Sequence, residues 1–138
     1  MVNFDIVIPG HNMENWIGKN IEILKAQTHR DWRAVVMVDG GTTDNTMEVL
    51  KRAVGDDIRI LWRSFDERRY GLHNIVEGFE ILRASFPFAP EDVLLEVDGD
   101  DWLYDEHVLE KLAKLYEDPD IWLTYGSHER STGTKIVC

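Results

Sequence analysis

Residues 32–41 read WRAVVMVDGG, a nearly unbroken apolar run that ends in a polar turn. A strand with one face in water alternates apolar and polar side chains, whereas a strand covered on both faces is apolar almost throughout. The run Trp32–Val38 therefore predicts a strand that lies between two layers of helices. Asp39 and the two glycines after it place a polar turn at the carboxyl end of that strand.

Helical patterns and short apolar runs alternate on both sides of this strand. Strands are predicted over residues 4–8, 32–38, 58–62, 93–97 and, briefly, 121–125, and helices over about residues 14–27 and 106–116. A helix capped by Thr43 or Asp44 should run to a C-cap at Gly55, and another carries the stripe Leu72, Ile75, Phe79 and Leu82. This order predicts an α/β fold, a mostly parallel twisted sheet with helices on both faces.

Composition indicates one globular domain over residues 1–138. Hydrophobic residues make up 43% of the chain and charged residues 30%, which is the balance of a soluble protein. The formal charge of −11 would repel nucleic acid and anionic lipid, and no apolar run reaches the roughly 20 residues of a membrane span. A single cysteine, Cys138, and an N-terminus without signal-peptide features favour a cytoplasmic setting.

Three polar clusters follow predicted strands, at residues 9–12, 39–44 and 98–101. In open parallel sheets, ligands bind where the carboxyl ends of the strands meet the loops. In the third cluster, three carboxylates stand within four residues, and they would repel one another unless a cation neutralised them. Hard oxygen ligands of this kind suit Mg²⁺ or Mn²⁺. The sequence thus predicts a metal and polyphosphate site at one edge of the sheet.

Each cluster also has a simpler interpretation. The acidic residues could form a solvated turn that caps the next helix, and Asp39 could be an ordinary β-turn residue. His11 and Asn12 could cap a helix, and the arginines of residues 63–69 could lie in an exposed charged loop. The coincidence of three polar clusters at the carboxyl ends of strands favours a shared ligand site.

Other nucleotide and metal sites are disfavoured by the absence of their motifs. The five histidines show no paired ligand spacing that would suit zinc. No G-x-G-x-x-G turn follows the first strand, and there is no G-x-x-x-x-G-K-[ST] phosphate loop. The sequence therefore predicts neither a zinc site nor a dinucleotide fold.

Taken in order, three motifs resemble those of the family 2 glycosyltransferases with the GT-A fold. Residues 6–12, IVIPGHN, resemble the opening strand and Pro-x-x-Asn turn of that family, and residues 38–46, VDGGTTDNT, resemble its Asp-Asp-Gly-Ser-Thr-Asp motif. Residues 97–101, VDGDD, resemble its D-x-D signature with a third carboxylate. Two departures stand out: Gly40 takes the second acidic position of the Asp-Asp-Gly-Ser-Thr-Asp motif, and His73-Asn74 stands where relatives often have Arg-Asn.

The resemblance implies a division of roles among these residues. Asp98, Asp100 and Asp101 would hold Mn²⁺ or Mg²⁺, with Asp100 the favoured direct ligand. Arg68 or Arg69 would supply the compensating cation. The nucleotide sugar would contact Pro9, His11, Asn12, Asp39, Arg68, Arg69, Asp98 and Gly99.

The resemblance implies metal-dependent transfer of a sugar, with inversion, from a nucleotide diphosphate sugar to an acceptor hydroxyl. A UDP-sugar is the favoured donor. The catalytic base and most of the acceptor-binding half are expected outside residues 1–138. One alternative is a nucleotide-sugar-binding module without transfer. A nucleotidyltransferase is a further alternative, although residues 9–14 lack the glycine-rich, lysine-bearing loop expected of one.

Overall fold

The computed structural model describes residues 2–130, 132, 135 and 136. Within these residues, one sheet has the strand order β3-β2-β1-β4, and every pair of neighbours is parallel. Its strands are β1 (Phe4–Gly10), β2 (Trp32–Val38), β3 (Ile60–Ser64) and β4 (Val93–Glu96). The helices are α1 (Ile17–Ala26), α2 (Thr46–Val54), α3 (Tyr70–Ser85) and α4 (Val108–Leu115). The predicted parallel α/β fold is confirmed.

Helices cover both faces of the sheet, as the apolar strand β2 predicted. On one face, alternate residues of β1 and β2 pack against α1, α2 and α4 in a core that includes Ile8, Ile21 and Leu109. On the other face, Val7 and Met37 pack against α3 through Leu82. All seven residues of β2 are buried. The burial of β2 on both faces is the physical reason for its unbroken apolar sequence.

Several predicted boundaries are wrong by two or three residues. Strand β3 begins at Ile60 rather than at residue 58, because Asp57 accepts hydrogen bonds from the backbone N–H groups of Arg59 and Ile60 and turns the chain there. Helix α1 begins at Ile17 rather than at residue 14. The N–H of Glu14 is instead bound by the Asp44 carboxylate, so residues 14–16 form a turn. Helix α4 begins at Val108.

The buried face of α3 agrees only in part with its predicted apolar stripe: Leu82 is buried and Phe79 packs against the same core as predicted. Leu72 is exposed, whereas Asn74, Gly78 and Leu82 are buried. A Cβ at Gly78 would lie 2.6 Å from a methyl carbon of Val7, so only glycine permits this approach of helix to sheet. Close packing at Gly78 has therefore set the rotation of α3, and hydrophobicity alone predicted the burial of Leu82 correctly but that of Leu72 incorrectly.

The predicted strand over residues 121–125 is absent, since residues 121–127 have no regular secondary structure. Instead, a short antiparallel pair joins β5 (His128–Glu129) to β6 (Lys135–Ile136). Cys138 lies outside the described residues. No helix within the described part of the chain is both long and apolar enough to cross a membrane.

The cap residues of α2 were predicted with mixed success. The helix begins at Thr46, and the residue before it is Asn45 rather than Thr43 or Asp44. Asp44 nevertheless accepts hydrogen bonds from both the N–H and the hydroxyl of Thr46 at 3.0 and 2.6 Å. Gly55 is the C-cap, with the positive φ of 58° that favours glycine.

Candidate functional site

A cleft of about 140 Å³ opens where the carboxyl ends of β1, β2 and β4 meet. Four segments border it: the first loop (residues 11–16), the second loop (residues 39–45), the entry to α3 (residues 68–74) and the acidic turn (residues 98–101). Strands that run parallel bring their carboxyl ends to one edge, which explains why segments distant in sequence meet here. The residues that line the cleft are Pro9, Gly10, His11, Asp39, Arg68, Tyr70, Gly71, Asn74 and Asp98.

Five of the residues assigned to the nucleotide sugar therefore line one cleft. These are Pro9, His11, Asp39, Arg68 and Asp98. Asn12, Arg69 and Gly99 belong to the same segments but fall outside that lining. Their contacts show that they shape the segments that border the cleft.

The first and second loops are joined by direct hydrogen bonds. The side-chain oxygen of Asn12 accepts from the backbone N–H of Thr43 at 2.8 Å, and His11 Nε2 donates to the carbonyl of Gly41 at 3.0 Å. The N–H of Met13 donates to Thr46 Oγ1 at 2.6 Å. Asn12 has a φ of 52°, a conformation that asparagine tolerates better than most residues. The Pro-x-x-Asn turn thus holds the second loop in place.

Met13 packs between two glycines at the base of the site. A Cβ built at Gly10 or at Gly99 would collide with the thioether sulfur of Met13, which is itself fully buried. The N–H of Gly99 also donates to the carbonyl of Pro9 at 2.9 Å. The glycine of the acidic turn is therefore required because the turn lies directly against the first loop.

Asp39 is buried and accepts several hydrogen bonds. Its Oδ1 accepts from the backbone N–H groups of Gly40 and Arg69, and its Oδ2 accepts from that of Tyr70. Burial raises the pKa of Asp39, but hydrogen bonds to the carboxylate, from the Arg69 N–H and the Asn74 side chain foremost, outweigh this and hold it below its usual value. Asp39 is thus a fixed anion at the wall of the cleft.

The close packing around Asp39 explains why Gly40 departs from the family motif. A Cβ at Gly40 would lie 2.6 Å from the backbone nitrogen of Glu67 and closer still to its carbonyl group. Backbone atoms cannot move aside as the end of a flexible side chain can. The loop between β3 and α3 therefore occupies the space that an aspartate side chain at position 40 would need.

The two candidate arginines have different surroundings. Arg69 pairs with Glu77, lies 2.5 Å from His73 Nε2 and stacks on the ring of Phe65 at 4.1 Å. Arg68 is half exposed, lies over the Tyr70 ring at 5.2 Å, and its Nε is 3.7 Å from Asp39 Oδ2. Since Arg68 lines the cleft and Arg69 has an acidic partner on α3, Arg68 is the better placed to meet an anionic ligand.

Asp98, Asp100 and Asp101 bring three carboxylates together. One oxygen of each lies within 4.8 Å of the others, and all three residues are exposed. Desolvation raises the pKa of Asp101, and the charges of Asp100 and Asp98 raise it further. Desolvation also raises the pKa of Glu96, and the negative charge of Asp98 raises it further. Convergent hard oxygens that carry unfavourable mutual repulsion fit a divalent cation such as Mn²⁺ or Mg²⁺.

Two buried asparagines at this site were not among the predicted site residues. Asn74 is fully buried, lines the cleft, and its side-chain oxygen has no hydrogen-bond partner among the described residues. Asn20 is buried on α1 and donates to the backbone of the acidic turn. The sequence contained a signal for Asn20, because a polar residue stands three positions after Ile17 on an otherwise apolar helical stripe.

This chain belongs to the glycosyl transferase family 2, whose sequence profile matches residues 5–135. Among its relatives, an uncharacterized glycosyltransferase of Nostoc sp. is 25% identical over 123 aligned residues, with coverage of 87% of this chain and 34% of the relative. Undecaprenyl-phosphate 4-deoxy-4-formamido-L-arabinose transferase of Pectobacterium carotovorum is 30% identical, over 71% of this chain and 29% of that enzyme. The chain thus spans about a third of the length of these relatives.

Solved structures share the same fold. The S. aureus protein TarS, residues 1–349, in complex with UDP-GlcNAc, superposes with a TM-score of 0.67 at 19% identity, over 84% of this chain and 31% of that one. The mannosyltransferase PcManGT of Pyrobaculum calidifontis, in complex with GDP-Man and Mn²⁺, gives a TM-score of 0.70 at 20% identity, over 86% and 33%. The predicted GT-A fold is therefore confirmed.

Proposed function

We propose that this chain forms the nucleotide-sugar-binding part of a metal-dependent glycosyltransferase, which transfers a sugar with inversion from a nucleotide diphosphate sugar to an acceptor hydroxyl. One observation carries the proposal: the three family motifs border a single cleft, with the fixed anion Asp39 at one wall and, at another, Asp98, whose carboxylate converges with those of Asp100 and Asp101. A solvated acidic turn would not require the other two motifs to meet it.

Within this cleft, we assign the base and ribose to the wall formed by Pro9, His11 and Asp39. Hydrogen bonds already join the first and second loops in the chain without ligand. Ligand binding should therefore lose little conformational entropy from ordering these loops. Asp39 can accept from a ligand N–H or hydroxyl through lone pairs that its backbone donors leave free. The unpartnered oxygen of Asn74 is a further acceptor at the same wall.

We assign the diphosphate to the space between Arg68 and the acidic turn. An unscreened phosphate oxygen at 4 Å from one carboxylate would face a repulsion of roughly 4 kcal/mol at an effective dielectric constant of 20. Asp98, Asp100 and Asp101 are therefore proposed to hold Mn²⁺ or Mg²⁺. When bound, such an ion supplies Lewis-acid stabilisation of charge on the departing diphosphate. Arg68 contributes a second positive charge from the opposite side.

UDP and GDP, with their sugars, are the probes that test this function. Isothermal titration in Mn²⁺ and again in excess chelator should show binding that depends on the cation. Binding of equal strength in both conditions would contradict the metal site. Transfer or donor hydrolysis, measured with a UDP-sugar in a protein that includes the acceptor-binding half, distinguishes a transferase from a nucleotide-sugar-binding module without activity.

A further inference from the structure

Asn20 connects helix α1 to the acidic turn across a large separation in sequence. It is 3% exposed, and its Nδ2 donates to the carbonyl oxygens of Asp98 at 3.1 Å and Asp101 at 2.7 Å. These two carbonyls belong to the first and last residues of the acidic turn. One amide nitrogen therefore fixes both ends of the segment that carries the three carboxylates.

The helix that presents Asn20 is firmly anchored. Ile17, Ile21 and Leu24 on the same face are all buried in the core shared with β1 and β2. The turn itself has fewer constraints: among the described residues, its backbone hydrogen bonds to other backbone groups are Gly99 N–H to the Pro9 carbonyl and Asp101 N–H to the Asp98 carbonyl. Because the carboxylates repel one another, a turn without the Asn20 amide would be expected to open.

We propose that Asn20 is a positioning residue for the divalent-cation site: its side-chain amide holds the acidic turn in the conformation in which Asp98, Asp100 and Asp101 converge. The effect of Asn20 on cation and UDP binding rests on the proposed function. The hydrogen bonds from Asn20 to the acidic turn belong to the chain itself. Residues that orient metal ligands in this way affect metal affinity by about 10- to 100-fold when they are replaced.

Gln27 offers a matched control at the end of the same helix. It is also fully buried, and its side-chain amide donates to the carbonyl of Asp105 at 2.7 Å, beyond the acidic turn. Its oxygen accepts from the N–H of Leu109 at the start of α4. Asn20→Ala and Gln27→Ala thus both remove a buried amide from the same helix, but only the first removes donors to the turn.

Amide hydrogen exchange tests the hold on the turn without any ligand. In Asn20→Ala, we expect the Gly99 and Asp101 amides to exchange at least about tenfold faster, whereas in Gln27→Ala the faster exchange should be near Leu109. Asn20→Asp, which keeps the size but replaces the donors with a carboxylate, should behave like Asn20→Ala. Unchanged exchange at Gly99 and Asp101 in both Asn20 variants would overturn the proposal.

Calorimetric titration with UDP, in Mn²⁺ and in excess chelator, tests the consequence. Asn20→Ala should weaken UDP binding about tenfold in Mn²⁺ and leave the affinity in chelator unchanged, while Gln27→Ala should lose stability but keep its Mn²⁺-dependent affinity. An equal loss in both variants would overturn the positioning role. If wild-type affinity is the same in Mn²⁺ and chelator, the proposed function fails, and exchange at Gly99 and Asp101 still decides whether Asn20 holds the turn.

Discussion

The second loop and the acidic turn occupy the same edge of the sheet, but they are supported differently. The second loop follows the fully buried strand β2 and is bound by side chains of the first loop and through Asp39 to the backbone before α3. The acidic turn follows β4, whose residues alternate in burial and whose Leu94 is half exposed. Its side-chain support is the Asn20 amide.

This difference teaches how the two halves of the site would work. The second loop carries one buried charge and is satisfied by neutral backbone donors, so it is stable as it stands. The acidic turn concentrates three exposed charges of the same sign, which lowers its own stability and favours a cation. Binding of the base and ribose beside Asp39 should therefore be independent of metal. Binding of the diphosphate beside the acidic turn should depend on metal.

The largest effect is expected at the acidic turn. Asp100→Asn keeps the side-chain size but removes a charge from the proposed cation site, so UDP affinity in Mn²⁺ should fall about 100-fold, or about 2.8 kcal/mol. Affinity in excess chelator should stay unchanged. Titration calorimetry under both conditions measures this, and an unaltered affinity in Mn²⁺ would favour a solvated turn.

At the second loop, we expect a substitution that disturbs packing to lower the stability of the fold. Gly40→Ala would place a Cβ against the backbone of Glu67, and we expect the free energy of unfolding to fall by about 1–3 kcal/mol. Gly71→Ala is the control, because a Cβ there meets no atom within 4 Å. Urea denaturation compares the two variants. Equal stability of both would show that the loop before α3 yields easily.

Asp39 provides a pH test of the same wall. Its pKa is lowered in the folded chain, so its ionised form stabilises the fold above the unfolded value near 3.8, and this stability is lost as pH falls through the lower folded value. Asp39→Asn should cost about 2 kcal/mol at neutral pH and progressively less below pH 3.8. Denaturation curves across pH 2–7 measure this, and a difference that does not change with pH would contradict the assigned cause.

The smallest effect is expected from the arginines. Arg68→Ala should weaken UDP binding about fivefold, because it removes an exposed cation beside the cleft. Arg69→Ala should leave affinity unchanged and lower stability by about 1 kcal/mol, since it breaks the pair with Glu77. Titration and denaturation of both variants separate the roles. A loss of affinity in Arg69→Ala alone would reverse the assignment.

Local chemistry was enough to predict much of the fold. The apolar run Trp32–Val38 predicted a doubly covered strand, and the alternation around it predicted the parallel sheet, because period and hydrophobicity act over a few residues. The three polar clusters could be placed at one edge because parallel strands end together. Boundaries such as the start of β3 were missed, since a single aspartate turn at Asp57 decided them.

Contacts between distant segments decided the rest, and sequence periodicity contains no information about them. In the sequence, Gly40 is only a departure from the family motif. The tertiary structure gives the reason, because the backbone of Glu67 occupies the space beside Gly40. Gly78 sets which face of α3 is buried because it lies against Val7. Asn20 reads as one polar residue on an apolar helix, and only the tertiary structure brings its amide, about 80 residues away in sequence, to both ends of the acidic turn. The sequence by itself determined which residues could carry charge and where strands would end, because those properties are local. The tertiary structure alone decided which side chains support them, since that depends on packing between elements far apart in the chain.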